Sequence, residues 1–236
     1  MTSFFNALPK QQLGILLAVI ALLTFATQDT ITKVLSQHYP VPQFLSLRFL
    51  AFIFFAVLVV QSRSGFFTAM RSKVPMLQVL RCAVLGIEIG LFAFAIGDMD
   101  LSAQHALGAC MPLIATVLAV PILGERVGWK RWTAVIVGMI GILIILRPGV
   151  AVIHPYTPIV LTAAALFGLY GVLTRLVSRY DGFDTNLIYM AVVCFSMYGV
   201  MAPFVWQPIA AEHWWLLIAL GLTSVSGHAL YMIAFQ

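Results

Sequence analysis

Apolar runs of near-uniform length recur along the whole of this 236-residue chain, and they leave few folds open to it. A bilayer core about 30 Å thick calls for roughly 20 apolar residues per spanning helix, because every backbone amide must find its partner within the segment. Runs of that kind fall at residues 13–35, 43–61, 76–97, 101–123, 129–146, 156–180, 185–205 and 214–236. Hydrophobic residues make up 62% of the chain and charged residues 9%, with a mean hydropathy of +1.02, which no water-soluble core could bury. The expectation is an all-α membrane protein of about eight spans joined by short loops.

The net charge of +5 would suit a nucleic-acid binder only if it gathered on one face, and it does not. It alternates with the spans. Lys10, Arg63, Arg71, Lys73, Arg81, Arg126, Lys130, Arg131, Arg175 and Arg179 fall on one side, against Lys33 and Arg147 on the other, where Asp98, Asp100 and Glu212 also lie. The positive-inside rule makes the first side cytoplasmic, N-terminus included, and predicts a multi-pass protein of the cell inner membrane. The first run outlasts the usual h-region of a signal peptide, and Gln28, Asp29 and Lys33 continue it, so it reads as a retained helix. Cys82, Cys110 and Cys194 lie within spans and read as small packing residues. No cluster has metal-ligand spacing, and no phosphate loop or nucleophile elbow is present, so neither metal nor cofactor is expected.

A repeat organises the chain. At one constant offset, Ala21, Phe25, Thr32, Lys33 and Ser36 fall on Ala163, Phe167, Thr174, Arg175 and Ser178. The sixth span would then restart a unit of five, and an odd number of spans turns the second unit upside down relative to the first. Residues 12–149 form the first five-helix repeat and residues 155–236 the first three helices of the second. With a slip of about a turn, 92–96 fall on 231–235, so the chain is expected to be truncated after its eighth helix.

The stretch 124–149, GERVGWKRWTAVIVGMIGILIILRPG, resembles the junction of the fourth and fifth helices in the EamA family of the drug/metabolite transporter superfamily. Lys33, Arg48, Pro112 and Glu125 sit where that family's pattern has such residues. The resemblance runs over 13–236 and implies a ten-helix fold of two inverted five-helix repeats around a central cavity, moving small metabolites, most often outward.

Ionisable groups within a bilayer are costly, so each one is a candidate site. Glu88 lies about 18 Å along the third span at 1.5 Å per residue, close to the midplane. It reads as a proton or substrate-cation site, or else as a protonated, hydrogen-bonded structural residue. Gly86 and Gly90 beside it offer a small-residue face for another helix or for a ligand. Asp29, about 24 Å along the first span, and Arg48, about 7 Å into the second, share the outer third and could pair. Lys33, one turn beyond, would compete for Asp29 or snorkel outward. This trio is either an outer gate and substrate anchor or a fixed strut between helices. His228 falls one position from the repeat counterpart of Glu88 and reads as a proton relay or a packing residue. His105 and Gln104 would line the outer entrance. Pro112 removes an amide near mid-membrane and is a hinge or a simple kink.

These residues predict a secondary transporter, an exporter of small organic metabolites working by alternating access, coupled to protons through Glu88. Its partners would be a small-molecule substrate, membrane lipids and protons, with no nucleic acid. An integral-membrane enzyme or a non-transporting scaffold or sensor are the rivals. The loops lack the paired histidines or carboxylates that an enzyme would need.

Overall fold

The computed structural model describes residues 10–125, 127–146 and 154–234, and among these all regular structure is helical. In chain order the helices are α1 (Lys10–Ser36), α2 (Val41–Arg63), the single turn α3 (Phe66–Ala69), α4 (Pro75–Asp98), α5 (Leu101–Gly108), α6 (Met111–Leu123), α7 (Trp129–Leu146), α8 (Thr157–Val177), α9 (Phe183–Met201) and α10 (Trp214–Ala234). Among the described residues, five segments are long and apolar enough to cross a membrane: Val41–Arg63, Pro75–Asp98, Leu101–Leu123, Thr157–Val177 and Phe183–Phe204. Helices α1, α7 and α10 coincide with the other three expected spans. The chain is a multi-pass, all-α membrane protein.

Starts follow from proline. Pro42, Pro75, Pro112 and Pro158 each sit in the first turn of their helix, where the missing amide has no partner to lose. The fourth span is not one helix kinked at Pro112. It breaks at Ala109 and Cys110, and Pro112 opens the second piece. Gly168 of α8 fits against this break, since a Cβ there would lie 3.1 Å from the Ala115 amide nitrogen and 3.2 Å from the Met111 carbonyl. At its far end α6 stops on Gly124, whose left-handed φ of 69° lets its amide close back on the carbonyls of Ala119 and Val120.

The most extensive helix contacts are α1 with α10, α4 with α8, and α2 with α9. Phe44, Leu45, Phe49, Phe52, Ile188, Ala191 and Leu220 fill the main core between them. The Gly86–Gly90 face of α4 is taken up by α9. Met197 lies against Gly86 and Tyr198 against Gly90, and the Tyr198 hydroxyl donates to the Gly86 carbonyl. All three cysteines are free and buried. Trp129, Trp132, Trp206, Trp214 and Trp215 are exposed near helix ends, as an aromatic belt requires.

The loops gather at two ends. At one, Arg63 meets Asp184 at 2.9 Å, Arg175 meets Glu125 at 3.1 Å, and Asp181 accepts from the Lys73 amide. At the other, Lys33 Nζ donates to the Met99 carbonyl at 3.1 Å, and Gln43 clamps both backbone groups of Gln207. Of the sequence-derived basic set, Arg126 and Arg147 lie outside the described residues. Arg81 is not an interfacial anchor. It is 2% exposed inside the bundle.

Candidate functional site

Helices α1, α2, α4 and α10 bring Asp29, Arg48, Glu88 and Ser224 into one cluster. Arg48 and Glu88 are 7% and 5% exposed, so both ionisable groups are held inside the protein. Arg48 interacts electrostatically with Asp29 and Glu88. Its contact is with Ser224, whose Oγ accepts from Nε at 3.2 Å, while the guanidinium rests 5.4 Å from the centre of the Phe49 ring. Phe49 in turn stacks on Tyr198 at 5.7 Å, so an aromatic wall fixes the cation on one side.

Asp29 does not pair with Arg48. Its Oδ2 meets Nε2 of His105 at 3.4 Å, which ties α1 to α5. The cause is position: Arg48 turns toward α10 and Ser224, while the short α5 delivers His105 to the C-terminal part of α1. Lys33 reaches neither carboxylate; it binds the Met99 carbonyl and closes the junction of α4 and α5. Gln104 is not at an entrance but fully buried, its Nε2 donating to the Phe92 carbonyl at 2.8 Å and its Oε1 without a partner.

His228 Nδ1 lies 2.8 Å from the Ser224 carbonyl, which can only accept, so the proton sits on Nδ1. Its ring stands edge-on to Phe25 and Phe52, with centroids at 5.3 and 5.1 Å. Close approach of α10 makes this possible, for Gly227 faces the Phe25 ring and Gly221 faces Ala51. His228 is thus linked to Arg48 through Ser224, and no hydrogen bond joins it to Glu88.

A second polar network escaped the sequence reading. Arg81 donates to the Asn186 carbonyl at 2.9 Å and to Gln78 Oε1 at 3.1 Å, with Tyr170 and Thr174 hydroxyls at 3.4 Å. Gln78 passes on to Asp181 and Asn186 at 2.9 and 2.8 Å. The network joins α4, α8 and α9 toward the end that carries Arg63 and Arg175. Gln78 and Asn186 look like ordinary polar residues in apolar helices, and only their depth reveals the link.

A cavity of about 610 Å³ lies at the opposite end, lined by Ser36, Gln37, Tyr39, Pro40, Val41, Pro42, Phe94, Gly97 and Asp98. It sits near the ends of α1, α2 and α4, on the side from which Arg48 and Asp29 are one to three turns deep.

Over residues 12–147 the chain matches the EamA-like transporter family. It is similar to the S-adenosylmethionine uptake transporter of Rickettsia prowazekii, with 23% identity over 211 residues covering 89% of this chain and 68% of that one. Identity to the pseudopaline exporter of Pseudomonas aeruginosa is 25% over 229 residues, covering 94% and 78%. The riboflavin transporter of Vibrio cholerae is 30% identical over 141 residues, covering 59% and 47%.

Proposed function

The chain belongs to the EamA-like transporter family, and from that premise we propose that this small-molecule membrane transporter is a secondary exporter of organic metabolites in the inner membrane, coupled to protons at Glu88. The observation that carries the reading is the buried cluster itself. Arg48 and Glu88 lie inside a bundle of apolar helices without forming an ion pair with each other, an arrangement expected of a transport site rather than of a strut.

The cycle is alternating access between two inverted repeats. Helix pairing supports the repeat: exchanging first with sixth span and third with eighth turns the α1–α10 contact into the α8–α4 contact, and leaves α2–α9 as its own image. In the orientation with a cytoplasmic N-terminus, the end locked by Arg63–Asp184 and Arg175–Glu125 faces inward, and the 610 Å³ cavity faces outward. The break before Pro112, packed on Gly168, is the hinge on which the fourth span rocks. Substrates of the relatives are small and organic, and both directions occur among them.

Counterflow in proteoliposomes with S-adenosylmethionine and riboflavin as cargo tests the carrier reading. An imposed pH gradient tests the coupling. Glu88→Gln keeps shape and hydrogen bonding but cannot change charge, so it should remove the pH dependence of transport while the protein still folds. Unchanged rate and pH profile in this variant would dismiss coupling at Glu88.

A further inference from the structure

We propose that a cavity of about 210 Å³ between the end of α2, the turn α3 and the start of α9 binds a phosphate group, carried on a phospholipid head or free in solution. It lies at the end that carries Arg63 and Arg175, away from the Arg48–Glu88 cluster, and does not depend on the role given to that cluster.

Helix α9 starts after Gly182 with no side chain capping it, and the amides of Phe183, Asp184 and Thr185 meet no acceptor among the described residues. Such a start favours an anion, because its amides point outward and the helix dipole adds about half a positive charge. An uncapped helix end alone is commonplace. Thr185 sets this one apart: the residue is 8% exposed, it lines the cavity, and its hydroxyl makes no hydrogen bond among the described residues. A hydroxyl held inside a protein without a partner costs free energy that a bound acceptor would recover. Ser64 and Thr68 line the same cavity, and their hydroxyls are likewise unpaired among the described residues.

Arg63 supplies the charge. Its Nε donates to Asp184 Oδ1 at 2.9 Å and its plane rests 5.5 Å from the centre of the Phe183 ring, while its two terminal nitrogens donate to no described residue. That open edge is the fork that matches two oxygens of a phosphate. The Asp184 carboxylate opposes an anion, but it stands against Arg63, Arg71 and Lys73 in the segment 63–73 as well as the helix start. Arg71 belongs to the turn beside the cavity, its amide donating to the Thr68 carbonyl at 3.1 Å. Asp181 is turned elsewhere, to Ser72, Gln78 and the Lys73 amide. Phe67, next to Thr68, is 83% exposed, which suits a place where acyl chains cover the surface and basic residues meet lipid heads.

The test follows the thermal midpoint of the purified full chain in uncharged detergent and phosphate-free buffer. It is titrated with short-chain phosphatidylglycerol, with the matching diacylglycerol that lacks the head group, and with inorganic phosphate against chloride at equal ionic strength. Phosphatidylglycerol should raise the midpoint and diacylglycerol should not. Thr185→Val and Arg63→Gln should each weaken the response about 10-fold or more, the loss expected for one hydrogen bond to a charged group. Asp184→Asn, which removes the opposing carboxylate, should strengthen it. Without ligand, Thr185→Val should leave the midpoint unchanged or higher, since its hydroxyl has no partner to lose; this variant carries the test if Arg63→Gln does not fold. A response to phosphatidylglycerol alone assigns the site to lipid, and an equal response to inorganic phosphate assigns it to the free anion. No response to either, an equal response to diacylglycerol, or a response that Thr185→Val leaves intact overturns the proposal.

Discussion

Asp29 and His105 join α1 to α5, with Oδ2 of one 3.4 Å from Nε2 of the other. The contact occupies one carboxylate of a cluster whose other carboxylate, Glu88, is buried and makes no hydrogen bond among the described residues. It also connects the cluster to the broken fourth span, because α5 is the first piece of that span and Pro112 begins the second.

Because His105 is half exposed, the pair should add little to folding. In a double-mutant cycle with Asp29→Ala and His105→Ala, the coupling in thermal stability is expected below about 1 kcal/mol. Both single variants should slow transport alike, since each cuts the same tie. A coupling several times larger would make the pair a strut and not a gate element.

Arg81 should behave in the opposite way. Its replacement by Met leaves the Gln78 and Asn186 acceptors unpaired inside the bundle, a loss of about 2 kcal/mol or more. Arg81→Lys retains the charge but not the fork that reaches several acceptors at once, so it should fall between Met and the native residue. Thermal midpoints in detergent check the order. Full stability of Arg81→Met would show that the guanidinium is retained for a reason other than folding.

Much of the fold is legible in sequence because membrane spans obey a length rule that no tertiary contact overrides. The helices Val41–Arg63, Pro75–Asp98 and Thr157–Val177 fall where the apolar runs put them, and Glu88 and Arg48 lie within such runs. Partners are less legible. Asp29 and Arg48 share a depth, but depth does not fix the direction in which a side chain leaves its helix; Arg48 turns to Ser224 and Asp29 to His105. By its charge and its place near a helix start Arg81 reads as an interfacial residue, whereas Tyr170, Thr174 and the Asn186 carbonyl hold it inside. The first two of these come from α8, far away in sequence, so no local pattern announces them.

Orientation gives a direct test. Thr68 in the single turn α3, Asp100 in the loop before α5 and Trp129 at the start of α7 are exposed, and the native cysteines are buried. Single cysteines at Thr68 and Trp129 should react with an impermeant thiol reagent only from the cytoplasmic face, and one at Asp100 only from outside. The reverse pattern would exchange the locked and open ends.

The locked end should itself depend on acid. Partial burial pushes the Asp181 carboxyl up, but hydrogen bonds from Ser72, Gln78 and the Lys73 amide, with the Lys73 charge, outweigh it and hold the group below its ordinary value of 3.8. A carboxylate whose folded value is depressed contributes stability that is present above the unfolded value and lost as pH falls through the folded one. The tie between the segment 72–78 and the α8–α9 turn should thus be intact at neutral pH and weaken below about pH 4. Asp181→Asn should lower stability at pH 7 by about 1–3 kcal/mol, because its amide group must face a donor. It should also flatten the acid limb of stability against pH. An acid limb as steep as that of the native protein would place the titrating group elsewhere and leave Asp181 as a neutral-pH contact only.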